Sequence, residues 1–295
     1  MFQLNAAKLC AELAAVGETL GGYTLRQEAA SSKQPEETVR HRMEGVLAVM
    51  EEAARQGFGE PIRSVSGMSG GNAYRYRQYC LGGQSLLGPV ASLAAAMALS
   101  SSEVNASMRR IVACPTAGSC GIVPAALLSV SMQREKSRAE TLHALFAASG
   151  VGIIIGSRAT LAGAEGGCQA ECGAAAAMAA AGVVELMGGT PEQAFHAAAM
   201  TIKNVLGLVC DPVAGLVEVP CVKRNASGVM NALLCADLAL AGVESYIPFD
   251  EVVDAMYAVG RGLPESLRET AKGGLAATPT AKRLQREFSV PQEQV

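Results

Sequence analysis

Nine cysteines are spread through this 295-residue chain, and three of them sit beside residues that bend a backbone: Cys168 in GGCQ, Cys210 in VCDP and Cys221 in VPCV. Thiolates presented from irregular segments can converge on one point. As soft donors they select zinc, copper(I) or iron-sulfur clusters over hard cations. The chain has no CxxC pair, which argues against a structural zinc knuckle. The spacing from 168 to 210 to 221 matches no electron-transfer ferredoxin run either. On the residues alone two readings stand, a cluster site or three unrelated buried thiols. Cys10 and Cys235 fall in apolar helical patterns and are expected in the core as small hydrophobes. Cys80 and Cys114 lack partners at ligand spacing, and Cys172 is read as a neighbour of Cys168.

Glycine gathers in a few clusters that a helix C-cap alone does not require, which suggests backbone brought close to a ligand. In SGMSGG, Ser66, Ser69, Gly70 and Gly71 can offer hydroxyl and amide donors to a carboxylate. Thr116, Ser119 and Gly121 in PTAGSCG can do the same ahead of a helix expected from about Val123. The plainer alternative is that both loops only cap helices. A catalytic base is not assigned: His143 and His196 lie in apolar helical patterns, and His41 sits between two arginines. Glu165, Lys223 and Arg224 adjoin the candidate ligands and can tune charge there.

These residues have to be positioned by helices. Val39, Met43, Val46, Leu47 and Met50 recur at helical spacing between Pro35 and Gly57, which predicts a helix over 36–56. Thr190, Pro191 and Gln193 spell an N-cap, a first-turn proline and a capping box for a helix running to about Gly207. Further helices are expected at 85–100, 122–132, 138–154, 173–187, 226–242 and 250–260, with polar connectors at 16–34 and 132–138. Alternating β-branched runs are nearly absent, so the fold class is mainly α, with Gly-rich loops brought together at the site.

Half the residues are apolar and only 17% are charged, which excludes disorder. A net charge of -3 without a basic block argues against nucleic acid. The apolar stretches at 144–156 and 173–184 fall short of a bilayer span, so no membrane partner is expected. Lys8 and Glu12 interrupt what would be the apolar part of a signal peptide, and the nine cysteines then suit a cytoplasmic protein.

AEGGCQAECG, GLVCDPVAGLVEVPCVKRNA, SGMSGG and NASMRRIVACPTAGSCGIVPA together resemble the α part of the iron-sulfur-dependent L-serine dehydratases, from about Arg63 through GGLAATPT. The resemblance implies one helical domain over 1–295, with an N-terminal helical segment (1–60) ahead of a catalytic core (61–285). It implies that Cys168, Cys210 and Cys221 ligate a 4Fe-4S cluster. Three thiolates leave one iron open as a Lewis acid, which makes the substrate hydroxyl a tolerable leaving group. Removal of the α-proton then gives aminoacrylate, whose imine hydrolyses to pyruvate and ammonia, a step of amino-acid catabolism toward gluconeogenesis. Single-chain members add a β domain with an SSHT-type motif. This sequence has none, so it resembles a separate α subunit that works with a β subunit. Some members end in a cysteine tail that caps the fourth iron, whereas this chain ends SVPQEQV. Two other readings are a pyridoxal-phosphate dehydratase, with Lys203 or Lys223 near the ligands, and a non-enzymatic metal-binding or regulatory subunit.

Overall fold

The computed structural model describes residues 2–289, so most of the SVPQEQV ending lies outside it. The chain forms α1 (Ala6–Val16), α2 (Leu20–Ser32), α3 (Glu36–Gln56), α4 (Asn72–Leu81), α5 (Pro89–Ala106), α6 (Ile122–Gln133), α7 (Arg138–Arg158), the single turn α8 (Gly163–Gly166), α9 (Ala174–Leu186), α10 (Pro191–Lys203), α11 (Cys221–Leu240), α12 (Phe249–Gly262) and α13 (Pro279–Ser289). No strand occurs among the described residues, and the mainly α expectation holds.

At the centre lies α9, AAAAMAAAGVVEL, in which every residue except Glu185 is buried. It packs against α6, α7, α10 and α11. Its run of small side chains lets these backbones approach closely: a Cβ on Gly182 would lie 3.0 Å from the carbonyl of Ala144. One hydrophobic cluster extends from Ala6 to Met256 through these helices. Of these, α7 is apolar and long enough to cross a membrane by length and composition, yet 67% of its most apolar window is buried inside the protein. That burial marks a core helix, packed on α9 and α2.

The capping box read from sequence is present, and the structure adds a second. Thr190 and Gln193 close a reciprocal capping box with Pro191 in the first turn, and Ser137 with Glu140 does so for α7. Helix α3 has the bounds expected and buries Val39, Leu47 and Met50. Other boundaries differ. The polar stretch 16–34 contains α2, whose Thr19 hydroxyl accepts the Gly22 amide and whose Leu20, Tyr23 and Leu25 are buried. Tertiary packing on α7 outweighs its polar composition. Helix α10 ends at Lys203, ahead of turns through Gly207, and α11 starts at Cys221, five residues before its expected start.

A buried carboxylate ties the Gly70–Gly71 turn to the core. Glu103 of α5 is 1% exposed and accepts the amides of Asn72 (2.6 Å) and Ala73 (3.2 Å) at the start of α4, along with the Asn72 side chain (2.7 Å). The positive end of the α4 dipole faces the same charge. Replacing Glu103 with Ala should cost about 3 kcal/mol, because these donors lose a charged acceptor. Thermal unfolding should then show a midpoint lower by about 5 °C. A change under about 1 °C would show that the cap does not anchor α4.

Candidate functional site

Cys168 stands where α8 turns into α9. Gly167 adopts φ +75°, and a Cβ there would lie 2.8 Å from the Leu208 carbonyl, so the backbone passes where only glycine fits. The next five residues, Gln169–Gly173, form a π-helical turn leading into α9. Such turns depart from regular helix and are frequent at functional sites. Gln169, fully buried, locks this turn in place. Its Nε2 donates to the Gly166 (2.9 Å) and Met256 (3.0 Å) carbonyls, while its Oε1 accepts the Gly207 amide (2.9 Å).

Cys210 is held through its main chain by a distant segment: its amide donates to Leu267 O (2.9 Å), and its carbonyl accepts the Glu269 amide (2.7 Å). The next residue, Asp211, is buried and pairs with Arg224 Nη2 at 2.9 Å while accepting the Leu275 amide at 2.7 Å. Arg224 Nη1 also donates to Val209 O at 2.9 Å. Cys221 does not lie in a turn as expected but is the first residue of α11, because the helix begins directly after Pro220. Cys168 is likewise in helical backbone. Asn225, one turn into α11, donates to the Cys221 (2.9 Å) and Gly118 (2.7 Å) carbonyls and accepts the Gly121 amide (2.9 Å). It thereby fixes the 115–121 loop to the start of α11.

The thiols of Cys168, Cys210 and Cys221 act electrostatically on one another. The Cys168 thiol is drawn below its ordinary value, first by a hydrogen bond from Cys172 and then by the Arg224 guanidinium. Burial, followed by charge on Cys168 and Glu171, pushes Cys221 up to about 12. Burial raises Cys210 too, aided by Glu171 and Cys168. Glu171 Oε2 lies 3.7 Å from Cys210 Sγ. Its carboxyl is held above the usual range, chiefly by burial, although a hydrogen bond from Thr116 opposes this. A Cβ on Gly163 would sit 2.6 Å from Glu171 Oε2 and 3.1 Å from Cys210 Sγ, so glycine leaves this face of the thiol clear.

The three thiols are soft donors of the kind that an iron-sulfur cluster takes. Among the described residues no three Cys, His, Asp or Glu side chains are drawn together tightly enough to hold one metal ion. A lone zinc requires its sulfurs about 2.3 Å from one point. A cluster instead takes each thiolate on a separate iron and accepts a wider spread. Thiols that act on one another beside a buried carboxyl make a place where negative charge is costly and a cationic group is favoured.

The two Gly-rich loops reach the cysteine-bearing segments by different contacts. Ser66 and Ser69 donate to the two oxygens of Glu218, at 2.7 and 2.8 Å. Gly70 and Gly71 pack on the 61–63 backbone, with the Gly71 amide donating to Ile62 O at 2.8 Å. Thr116 touches Glu171, whereas Ser119 is buried and caps its own loop, and Gly121 lies against Ala98. Much of the glycine density therefore serves chain-to-chain contact. The histidines bond elsewhere: His41 pairs with Glu44, His143 with Thr19 and Glu185, and His196 accepts the Ser245 amide. Glu165 and Lys223 are exposed. Sequence reasoning missed Glu171 and Glu218, although each carried a signal, an acid three residues from a candidate ligand.

Breaking the Asp211–Arg224 pair tests how the Cys210 segment is supported. Arg224→Met should cost about 3 kcal/mol by leaving a buried carboxylate without its cation. Adding Asp211→Asn should recover part of the loss, as read by urea denaturation. Equal stability of Arg224→Met and wild type would remove the pair from this account.

A family profile described as serine dehydratase alpha chain matches residues 17–276. The chain is 49% identical to a probable L-serine dehydratase alpha chain of Bacillus subtilis over 90% of this chain and 88% of that one. It is 51% identical to the L-serine dehydratase alpha chain of Peptoniphilus asaccharolyticus over 90% of each. L-serine dehydratase 1 of Escherichia coli is 43% identical over 61% of this chain but only 40% of its own length. With matches of that extent and identity, the chain belongs to the serine dehydratase alpha chain family.

Proposed function

We propose that this chain is the α subunit of a cytoplasmic L-serine dehydratase, working as one helical unit, in which Cys168, Cys210 and Cys221 hold a 4Fe-4S cluster and L-serine is converted to pyruvate and ammonia. The observation that carries the reading is the setting of the Cys210 segment, where Glu171 Oε2 lies 3.7 Å from Cys210 Sγ and Arg224 holds Asp211 and the Val209 carbonyl on either side of it, in a chain of this family. When bound, a cluster held by three thiolates supplies one iron as a Lewis acid for the substrate hydroxyl. The chain's own residues do the rest. Arg224 and the Cys172 thiol stabilise charge on Cys168. Ser66, Ser69, Gly70 and Gly71 on one loop, with Thr116, Ser119 and Gly121 on the other, form the substrate side, where Thr116 stands beside Glu171.

A β chain completes the enzyme and supplies the acceptor for the α-proton. In support, none of the three histidines bonds to the cysteine site, and Val65 and Met108 beside the serine loop are 75% and 83% exposed. Apolar side chains left open at the rim of a site suit cover by another chain.

Anaerobic reconstitution with iron and sulfide should load a cluster whose broad visible absorption bleaches in air, with about four irons per chain as a 4Fe-4S centre requires. Serine substitution at Cys168, Cys210 or Cys221 should remove it, while Cys10→Ser and Cys235→Ser should not. A sharp aldimine band without iron uptake would overturn the cluster and favour pyridoxal phosphate. Titrating the loaded chain anaerobically with its β chain should raise pyruvate formation from L-serine from near zero to a plateau. Full turnover by the chain alone would place the missing base within it.

A further inference from the structure

Glu218 is 4% exposed, and among the described residues it forms no ion pair. A buried carboxylate without a cation is costly unless hydrogen bonds compensate it. Its compensation comes from Ser66 Oγ on one oxygen and Ser69 Oγ on the other, at 2.7 and 2.8 Å. A serine hydroxyl has a single hydrogen to give. While these bonds stand, neither serine can donate to a substrate carboxylate. What remains is their lone pairs, and that of Ser66 already accepts the Met68 amide at 3.0 Å.

The backbone of the same residue bonds the start of α11. Glu218 O accepts the amide of Val222 at 3.1 Å, the first amide beyond Cys221. One residue thus grips the serine loop with its side chain and the start of α11 with its carbonyl. The loop is also knit within itself, with Ser64 N donating to Ser69 O at 3.1 Å and Ser69 N to Ser64 Oγ at 3.3 Å. Glu218 is therefore placed to set the loop as a unit relative to Cys221.

We infer that Glu218 is a positioning residue that clamps the 64–71 loop to the Cys221 end of α11, and that Ser66 and Ser69 serve the reaction through this clamp rather than by touching the substrate. The inference rests on the function proposed above and refines its serine loop. Hydrogen exchange tests it without turnover. In Glu218→Gln the amides of 64–71 should exchange about tenfold faster than in wild type, in keeping with the loss of a charge-assisted bond, while α3 and α9 keep their protection. Exchange unchanged at 64–71 would overturn the clamp. If that variant does not fold, Ser69→Ala is read from the opposite side: faster exchange at 216–222 supports the clamp and unchanged exchange there overturns it.

In the loaded complex with the β chain, Glu218→Gln and Ser69→Ala should each raise KM for L-serine by about tenfold with iron content retained, and the double variant should be no worse than either single one. Multiplying effects would mean that Ser69 meets the substrate itself, which overturns the inference. The wild-type complex separates the two claims. No pyruvate from wild type sinks the dehydratase reading, whereas pyruvate with additive variants sinks only the clamp.

Discussion

Thiols from three separate stretches of chain that act on one another set negative charge against negative charge. Burial makes each thiolate hard to form, and charge on the neighbouring Cys168 and Glu171 makes Cys210 and Cys221 harder still. The surrounding architecture answers that repulsion. Arg224 stands between Asp211 and Cys168, and Cys172 donates to Cys168. The backbone near each thiol is fixed by bonds that do not involve sulfur: Gln169 for the π turn, Leu267 and Glu269 for Cys210, and Asn225 for Cys221. The scaffold therefore holds the geometry that the thiols' own interactions oppose.

This division of labour explains why the centre of the protein is so plain. An alanine-rich helix offers few large side chains and a single acid, Glu185, but it allows four neighbours to approach closely and leaves few ways to repack. Its regularity ends at the π turn, where the extra residue per turn carries Cys168 and Cys172 out of the helical repeat. Packing uniformity and chemical irregularity meet within a few residues of each other.

How far the sequence reveals all this depends on the range of the forces concerned. The periodic apolar face of α3 and the Thr190–Gln193 box are local, and both can be read directly. Helix α2 could not be, since its composition is polar and its burial comes from α7, more than a hundred residues away. Cys221 looked like a turn residue because Pro220 precedes it, yet a proline before a helix start is as natural as one in a bend. Glycine density pointed toward a ligand, whereas Gly121 and Gly167 yield space to the Ala98 and Leu208 carbonyls. The cysteine positions and both loops were visible as motifs. Glu218 and Glu171 were missed: each stands three residues from a candidate ligand, but that spacing does not say what an acid faces.

The hydrogen bonds between Cys210 and the 267–269 segment order events in time as well as in space. A chain emerging from the ribosome folds from its N-terminal side first. Cys168 and the alanine helix are then available long before Leu267 and Glu269 exist to fix Cys210, and before Leu275 reaches Asp211. Until those residues arrive, the backbone of Cys210 and the side chain of Asp211 lack partners that hold them. The Cys210 backbone is therefore fixed by residues that follow it by more than fifty positions in the chain.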